Sequence, residues 1–165
     1  QVGDVLDARD EAAGIIESAR ERLSRVNHAL TLELPRPVLM LEWTDPPFSA
    51  GHWVPDLARL GGGDARLANP GKDSQRLDWD VIASCDADVV VVAPCGYHLD
   101  AATQIAEATL AHGALPEGAE VWAVDADAYF VRPGPRVVEG VEVMSRILHP
   151  QVCGAPDPTI ATRIA

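Results

Sequence analysis

The chain has 165 residues, 47% of them hydrophobic and 23% charged, which is enough for one globular domain with a real core and excludes a disordered polar chain. Its formal net charge of −12 argues against a nucleic-acid partner, because phosphate binding needs clustered Lys and Arg and no basic stripe occurs. The longest apolar run, Val89–Ala93, is far too short to span a bilayer, and no charged stretch followed by an apolar one marks a secretion signal. Gln1 is no initiator Met, which leaves room for a removed leader or a preceding domain.

From Val5 to Val26 the apolar positions Ala12, Ile16, Ala19, Leu23 and Val26 recur in steps of four and three. Glu11, Glu17, Arg20, Glu21, Arg22 and Arg25 fill the rest, so the segment predicts a long amphipathic helix. Glu17 with Arg20 and Glu21 with Arg25 are spaced for weak exposed ion pairs. Gly14 costs the helix up to about 1 kcal/mol relative to Ala. Such a helix fits a core element, a coiled-coil partner or a rod between two domains; about three heptads rank the coiled coil last.

After Pro35 and Pro37 the pattern alternates. It predicts strand Pro37–Trp43, helix Gly51–Leu60, a turn at Gly61–Gly63, a short extended piece near Gln75–Leu77 and helix Asp78–Ser84. Strand Asp88–Ala93, helix Asp100–Ala111, strand Glu120–Val124 and helix Pro135–Leu148 follow. Pro135 suits the first turn of its helix, where a missing N–H has no intrahelical partner to lose. Alternation of this kind predicts an α/β fold, a three-layer α/β/α lobe with a mostly parallel sheet, preceded by the long helix. The expected plan is residues 1–30 as that helix, 31–150 as the lobe and 151–165 as an irregular tail, the tail marked by Pro156 and Pro158.

Six of the eight aromatic residues fall in three segments that each follow a predicted strand: Glu42–Trp53, Pro94–His98 and Asp125–Arg136. Parallel strands bring their carboxyl ends to one edge, where open α/β sheets bind ligands. Trp43, Phe48, Trp53, Tyr97, Tyr129 and Phe130 are therefore candidates for a platform under a large, partly apolar organic ligand, with His52, His98 and Arg132 as polar partners. The competing reading is a small core of rings capping the sheet edge.

Catalytic and metal motifs are weak by comparison. Cys95 and His98 suggest a thiolate–imidazole pair, but no family signature surrounds Cys95, and loop residues three apart need not face each other. Glu42, Asp45, His52 and His98 lack the helical spacing of a metal motif. The expectation is a binding protein with no catalytic residue, no resident metal and no required cofactor. Gly61–Gly63 lacks the GxxxxGK[ST] phosphate pattern and follows a helix, which predicts a helix C-cap and turn. Trp79 and Trp122 lie outside the three loops and are expected to pack. Cys85, Cys95 and Cys153 form no CxxC; Cys85 and Cys95 stand at opposite ends of a strand, beyond the roughly 7 Å Cα separation that a disulfide allows.

The phrases EWTDPPFSAGHWVPDLARLGGG, RLDWDVIASCDADVVVVAPCGY and YFVRPGPRVVEGVEVMSRILHP together resemble the carboxy-terminal lobe of class III periplasmic-type substrate-binding proteins, in the cobalamin-binding branch. The resemblance runs from about Leu6 to Pro150. It implies two α/β lobes joined by a rigid helix, the amino-terminal lobe lying outside this chain, with a corrinoid such as cobalamin held in the cleft between them. It also implies an ABC-transporter permease as partner and a periplasmic or extracytoplasmic location, although the chain itself carries no signal peptide and a cytoplasmic location stays open. Phe48, after Pro46 and Pro47, matches an aromatic on the corrin face; Arg132 matches an Arg near the ligand's nucleotide loop and amides; Asp80 matches an acidic residue that pairs with permease arginines. Where the family offers a second corrin-stacking Trp this chain has Ser74, and Val131 stands where an acid precedes the matching Arg. Trp43, Trp53 or Tyr97 are the substitutes for that lost stacking. Relatives of this fold also carry haem and iron–siderophore chelates, so those ligands stay beside the corrinoid, as does a small-molecule enzyme built on Cys95 and His98. A lone lobe with its loops uncovered is further expected to pair as a homodimer.

Overall fold

The computed structural model describes residues 2–165. The chain opens with a short helix α1 (Val2–Val5) and a long one α2 (Arg9–Ala29), then β1 (Arg36–Thr44), β2 (Pro47–Ser49), α3 (Val54–Leu60) and β3 (Gly63–Arg66). Next come α4 (Trp79–Ala83), β4 (Val89–Val92), α5 (Leu99–His112) and β5 (Glu120–Val124). The chain ends with α6 (Ala126–Tyr129), α7 (Val137–Leu148), α8 (Pro150–Cys153) and β6 (Ala161–Arg163).

All four valines of β4 are completely buried. A strand apolar on both faces must lie inside a sheet covered on both sides, and β4 does, between β1 and β5 and parallel to both. β3 runs parallel to the first half of β1, while β2 pairs antiparallel with its second half through Trp43↔Phe48 and Thr44↔Pro47. β6 lies antiparallel on the outer edge of β5. Side chains alternate between faces, as the strand period of two requires. Val38, Met40, Val89, Val91 and Val124 join a core shared with α3 and α7. Leu39, Leu41, Val90, Val92 and Ala123 join another shared with α4 and α5. The three-layer α/β/α arrangement follows.

β5 falls on its predicted residues, and β1 and β4 lie within one residue of theirs. Other expectations need correction. The helix expected from Gly51 begins at Val54 and the one from Pro135 begins at Val137. β2 and α6 lie inside segments expected as loops. The Gly61–Gly63 turn caps α3 at Gly61, as expected, but Gly63 already opens β3. The tail is not irregular: Ala161–Arg163 adds a strand, Ile164 N donates to Val121 O at 2.7 Å and Val121 N donates to Ala165 O at 3.1 Å. The short strands β2, β3 and β6 are three or four residues long and exist because β1 or β5 offers unpaired backbone groups, a tertiary cause that local sequence does not carry.

The long helix also differs from its predicted stripe. Only Val26 of α2 is buried, Leu23 packs partly against the lobe, and Ile16 stays 51% exposed. What fixes α2 is Arg22, whose guanidinium donates to both Glu142 oxygens at 2.8 and 2.6 Å and lies 3.5 Å from Glu139. That hydrogen-bonded pairing holds the Glu142 carboxyl below its ordinary range against the opposing effect of burial. Glu17 and Arg20 pair as expected, at 3.8 Å on the exposed side. No helix among the described residues is long and apolar enough to cross a membrane.

Close packing of α7 depends on Gly140. A Cβ there would run into the Tyr129 carbonyl and sit 3.0 Å from Leu57 Cδ1, and backbone cannot yield as a flexible side chain can. Gly140→Ala should therefore destabilise the protein by about 1–3 kcal/mol, the usual cost of overpacking, read as a lowered denaturation midpoint. An unchanged midpoint would mean that α7 shifts outward freely.

Candidate functional site

β1, β4 and β5 reach the same height together: Leu41 pairs with Val92, and Val92 with Ala123. The chain therefore leaves all three strands at one level, and the following segments meet. Cys95 N donates to Glu42 O at 3.1 Å and Asp127 N to Tyr97 O at 3.1 Å, stitching the first segment to the second and the second to the third. Trp53 Nε1 closes the ring of contacts by donating to Phe130 O at 2.8 Å. The expected convergence of the three loops on one edge is what the structure has.

The aromatic residues divide between surface and support. Trp43 and Tyr97 form a tilted pair with centroids 5.7 Å apart, and Trp43 is held by donating from Nε1 to Asp45 O at 2.8 Å, next to the cis Asp45–Pro46 peptide. Tyr97 and Trp53 are each 37% exposed. Trp53 lines a cleft of about 290 Å³ with Glu42, His52, Val54, Cys95 and Val131. Phe48 is half-buried on β2, where its backbone bridges Arg76. Phe130 corrects the prediction: it is fully buried, part of the core beneath the loops, and has no surface to give a ligand. Tyr129 is half-buried and packs on that same core. Alternation has no meaning in an irregular loop, so sequence could not separate the inward ring from the outward ones.

Polar groups on the edge are already organised. The Glu42 carboxylate accepts from Gly51 N at 3.1 Å and from the Ser74 hydroxyl; Gly51 has no room for a Cβ against the Lys72–Ser74 backbone. Asp125 caps α6 by accepting from Ala128 N at 3.0 Å, and both its oxygens lie 3.1 Å from His98 Nδ1. Asp127 takes Arg132 Nε and Nη2 at 3.0 and 2.8 Å. Arg132 is thus partnered rather than free, though largely exposed, and with His98, Asp127 and Arg136 it lines a second cleft of about 360 Å³. Sequence reasoning passed over Asp125 and Asp127; an Asp directly between a strand and an apolar turn is a recognisable helix N-cap signal.

His98 and Cys95 do not form the contact that a nucleophile pair needs: the ring nitrogens of His98 face Asp125 and Asp127. His52 lies 3.8 Å from the exposed Asp73, so Glu42, His52 and His98 go to separate partners. Among the described residues no three His, Cys, Asp or Glu side chains gather to hold a metal ion. Cys85, Cys95 and Cys153 are free thiols, and burial pushes the Cys85 thiol up. Trp79 packs as expected, stacked on His112 at 4.5 Å, and Trp122 is half-buried against the core. Asp80 is exposed on the first turn of α4.

No family model and no curated protein sequence matches the chain. Solved structures do. A periplasmic heme-binding protein from Pseudomonas aeruginosa superposes with a TM-score of 0.76 at 20% identity, covering 99% of this chain and 61% of that one. An ABC transporter substrate-binding protein from Listeria monocytogenes gives 0.71 at 14% identity, over 90% of this chain and 60% of the other. The periplasmic vitamin B12-binding protein BtuF of Vibrio cholerae gives 0.62 at 20%, over 78% and 50%. The chain has the α/β fold of these binding proteins and spans roughly half to three-fifths of their length.

The hydrogen bond from Arg132 holds the Asp127 carboxyl below its ordinary range. A depressed folded-state value means that the pair contributes at neutral pH and is lost as pH falls through that value, below the usual aspartate titration. Asp127 should accordingly titrate low in a carboxyl-carbon NMR experiment, and Arg132→Ala should bring it up. A titration unmoved by the substitution would show that the pair does not persist in solution.

Proposed function

We propose that this chain is the carboxy-terminal lobe and connecting helix of a two-lobed, non-catalytic substrate-binding protein, which presents a flat metal chelate to an ABC-transporter permease from an extracytoplasmic compartment. The observation that carries this reading is the grouping of partly exposed rings, the Trp43–Tyr97 pair and Trp53, on the segments that meet where three strand ends converge. Apolar faces with a few fixed polar groups suit a large planar ligand, and the fold is shared with proteins described as binding heme and vitamin B12. Asp80, exposed on α4, is the proposed permease contact.

Charge favours a corrinoid over the alternatives. Haem carries anionic propionates, and siderophores are oxygen-rich and anionic, so both call for free guanidinium groups. Here Arg132 is tied to Asp127, and Asp125, Asp127 and Glu42 line the same edge. A corrin rimmed by neutral amides meets no such conflict and can use the Nη1 side of Arg132, which Asp127 leaves open.

One lobe supplies one wall of the cleft. Losing half the contact costs several kcal/mol, and each 1.4 kcal/mol is about tenfold, so the isolated chain should bind cyanocobalamin in the micromolar range and haemin at least about tenfold more weakly. Titration calorimetry with each ligand decides between them. Haemin binding more tightly would move the ligand to haem, and binding of neither would remove the reading. Arg132→Ala should weaken cyanocobalamin binding by about 1.5–3 kcal/mol, the worth of a hydrogen bond from a charged donor.

A further inference from the structure

We infer that His149 is a proton-operated latch: when its buried imidazole takes a second proton, it ties Glu33, and with it the connector from α2 to β1, to the lobe.

The ring stands where several parts of the chain meet. His149 closes α7 and opens α8, and its side chain is 2% exposed. Its Nε2 lies 2.9 Å from Gly62 O. A carbonyl can only accept, so Nε2 carries a proton there and the neutral ring has its lone pair on Nδ1. Gly62, at φ +87°, leaves no room for a side chain, because a Cβ would lie 2.6 Å from Nε2. The turn after α3 is thus shaped around the imidazole.

Nδ1 is the group left over. It is buried, and among the described residues no hydrogen bond reaches it. The charged atom it faces is Glu33 Oε2, 3.6 Å away, to which Gln151 of α8 donates at 3.2 Å. With the ring neutral, two acceptors stand opposite each other, an arrangement that burial disfavours. A proton on Nδ1 turns one of them into a charged donor. Charge-assisted bonds close to about 2.7–2.9 Å, so the Glu33 carboxylate has less than about 1 Å to travel.

Glu33 is well placed to act for the whole connector. Leu32 and Leu34 are 93% and 84% exposed, Thr31 and Pro35 are exposed too, and of residues 31–35 only Glu33 is partly buried. The backbone bonds of this stretch are local: Glu33 N donates to Leu30 O at 3.0 Å and Thr31 N to His28 O at 3.3 Å.

Other charges near the ring are taken up elsewhere. Arg36 of β1 donates to Leu148 O at 3.0 Å, and Glu120 of β5 lies 3.2 Å from its Nη2. On either side of the Gly62 turn, Arg59 pairs with Asp56 and Asp64 with Arg66. Arg146 of α7 bears on Glu142 and Asp157, and His28, in the last turn of α2, is exposed. In the two-lobed protein proposed above, residues 30–35 are where the rod enters the lobe, so acid stiffens that junction; this consequence rests on that reading, and the latch does not.

The test is a double-mutant cycle of Glu33→Gln and His149→Gln in the chain itself, unfolded by urea at about pH 5.5 and about pH 8. Those values bracket the titration of an imidazole while a carboxylate stays ionised. Each Gln keeps a hydrogen-bonding amide and removes the charge. Coupling between the two positions should reach at least about fivefold in the folding equilibrium constant at the lower pH. It should vanish at the higher one, because the stabilisation is lost as the imidazole gives up its proton. Coupling that is equal at both, absent at both or larger at the higher pH overturns the inference. Where His149→Gln fails to fold, imidazole nitrogen NMR and amide exchange on the wild type and Glu33→Gln decide. At the lower pH, wild-type Nδ1 should be protonated and the Thr31 amide should exchange at least about fivefold more slowly than in Glu33→Gln. A bare Nδ1 there, or equal exchange in the two proteins, overturns the latch and leaves the binding function standing.

Discussion

The structure depends on one constraint: β4 is buried on both faces and can be satisfied only by parallel partners with helices above and below. Parallel pairing forces each connection to cross the sheet, and β1, β4 and β5 enter at one edge and leave at the other. The valines of β4 thereby decide where Trp43, Tyr97 and Arg132 come together, although none of those residues touches the valine core. Burial sets the position of the site, and the loops set its chemistry.

Electrostatics on that edge is a consequence of the same crowding. The chain carries a formal charge of −12, and carboxylates gathered on one edge would repel each other and any anionic ligand. Each has a local donor instead: Gly51 N and Ser74 for Glu42, Ala128 N and His98 for Asp125, Arg132 for Asp127. These groups act as struts that hold the loops in shape. Arg132 consequently has a structural task beside its proposed ligand contact, which resemblance alone had not suggested.

Much of the scaffold was legible because burial writes a periodic signal. Glu120–Val124 and the valine run of β4 are examples, as is the swing from strand to helix after each. β2, β3 and β6 left no such signal: Pro47–Ser49 and Ala161–Arg163 are too short for a period, and Gly63 reads as a turn until Val38 is seen packed against it. In the site the same limit separated residue types from directions. Grouping of the rings was visible in sequence, but the inward position of Phe130 depends on α6, a single helical turn capped by Asp125, at whose end it lies. The Asp127–Arg132 pair spans five residues across that turn, and only its geometry reveals that the guanidinium is partly used.

The long helix shows how a correct element can still have the wrong energetic account. Its stripe suggested burial along its length, yet α2 is gripped near one end, by Val26 in the core and by Arg22 between Glu142 and Glu139. Ile15 and Ile16 remain 53% and 51% exposed. A helix packed along its whole length would be a core layer, and one packed at one end has the mechanics of a rod. The bidentate guanidinium–carboxylate contact is suited to that task, because its fork fixes direction as well as distance, whereas an apolar patch of the same size would let the helix roll. In a two-lobed protein, the angle at which this rod leaves the lobe would be set by Arg22 and its pairing with α7.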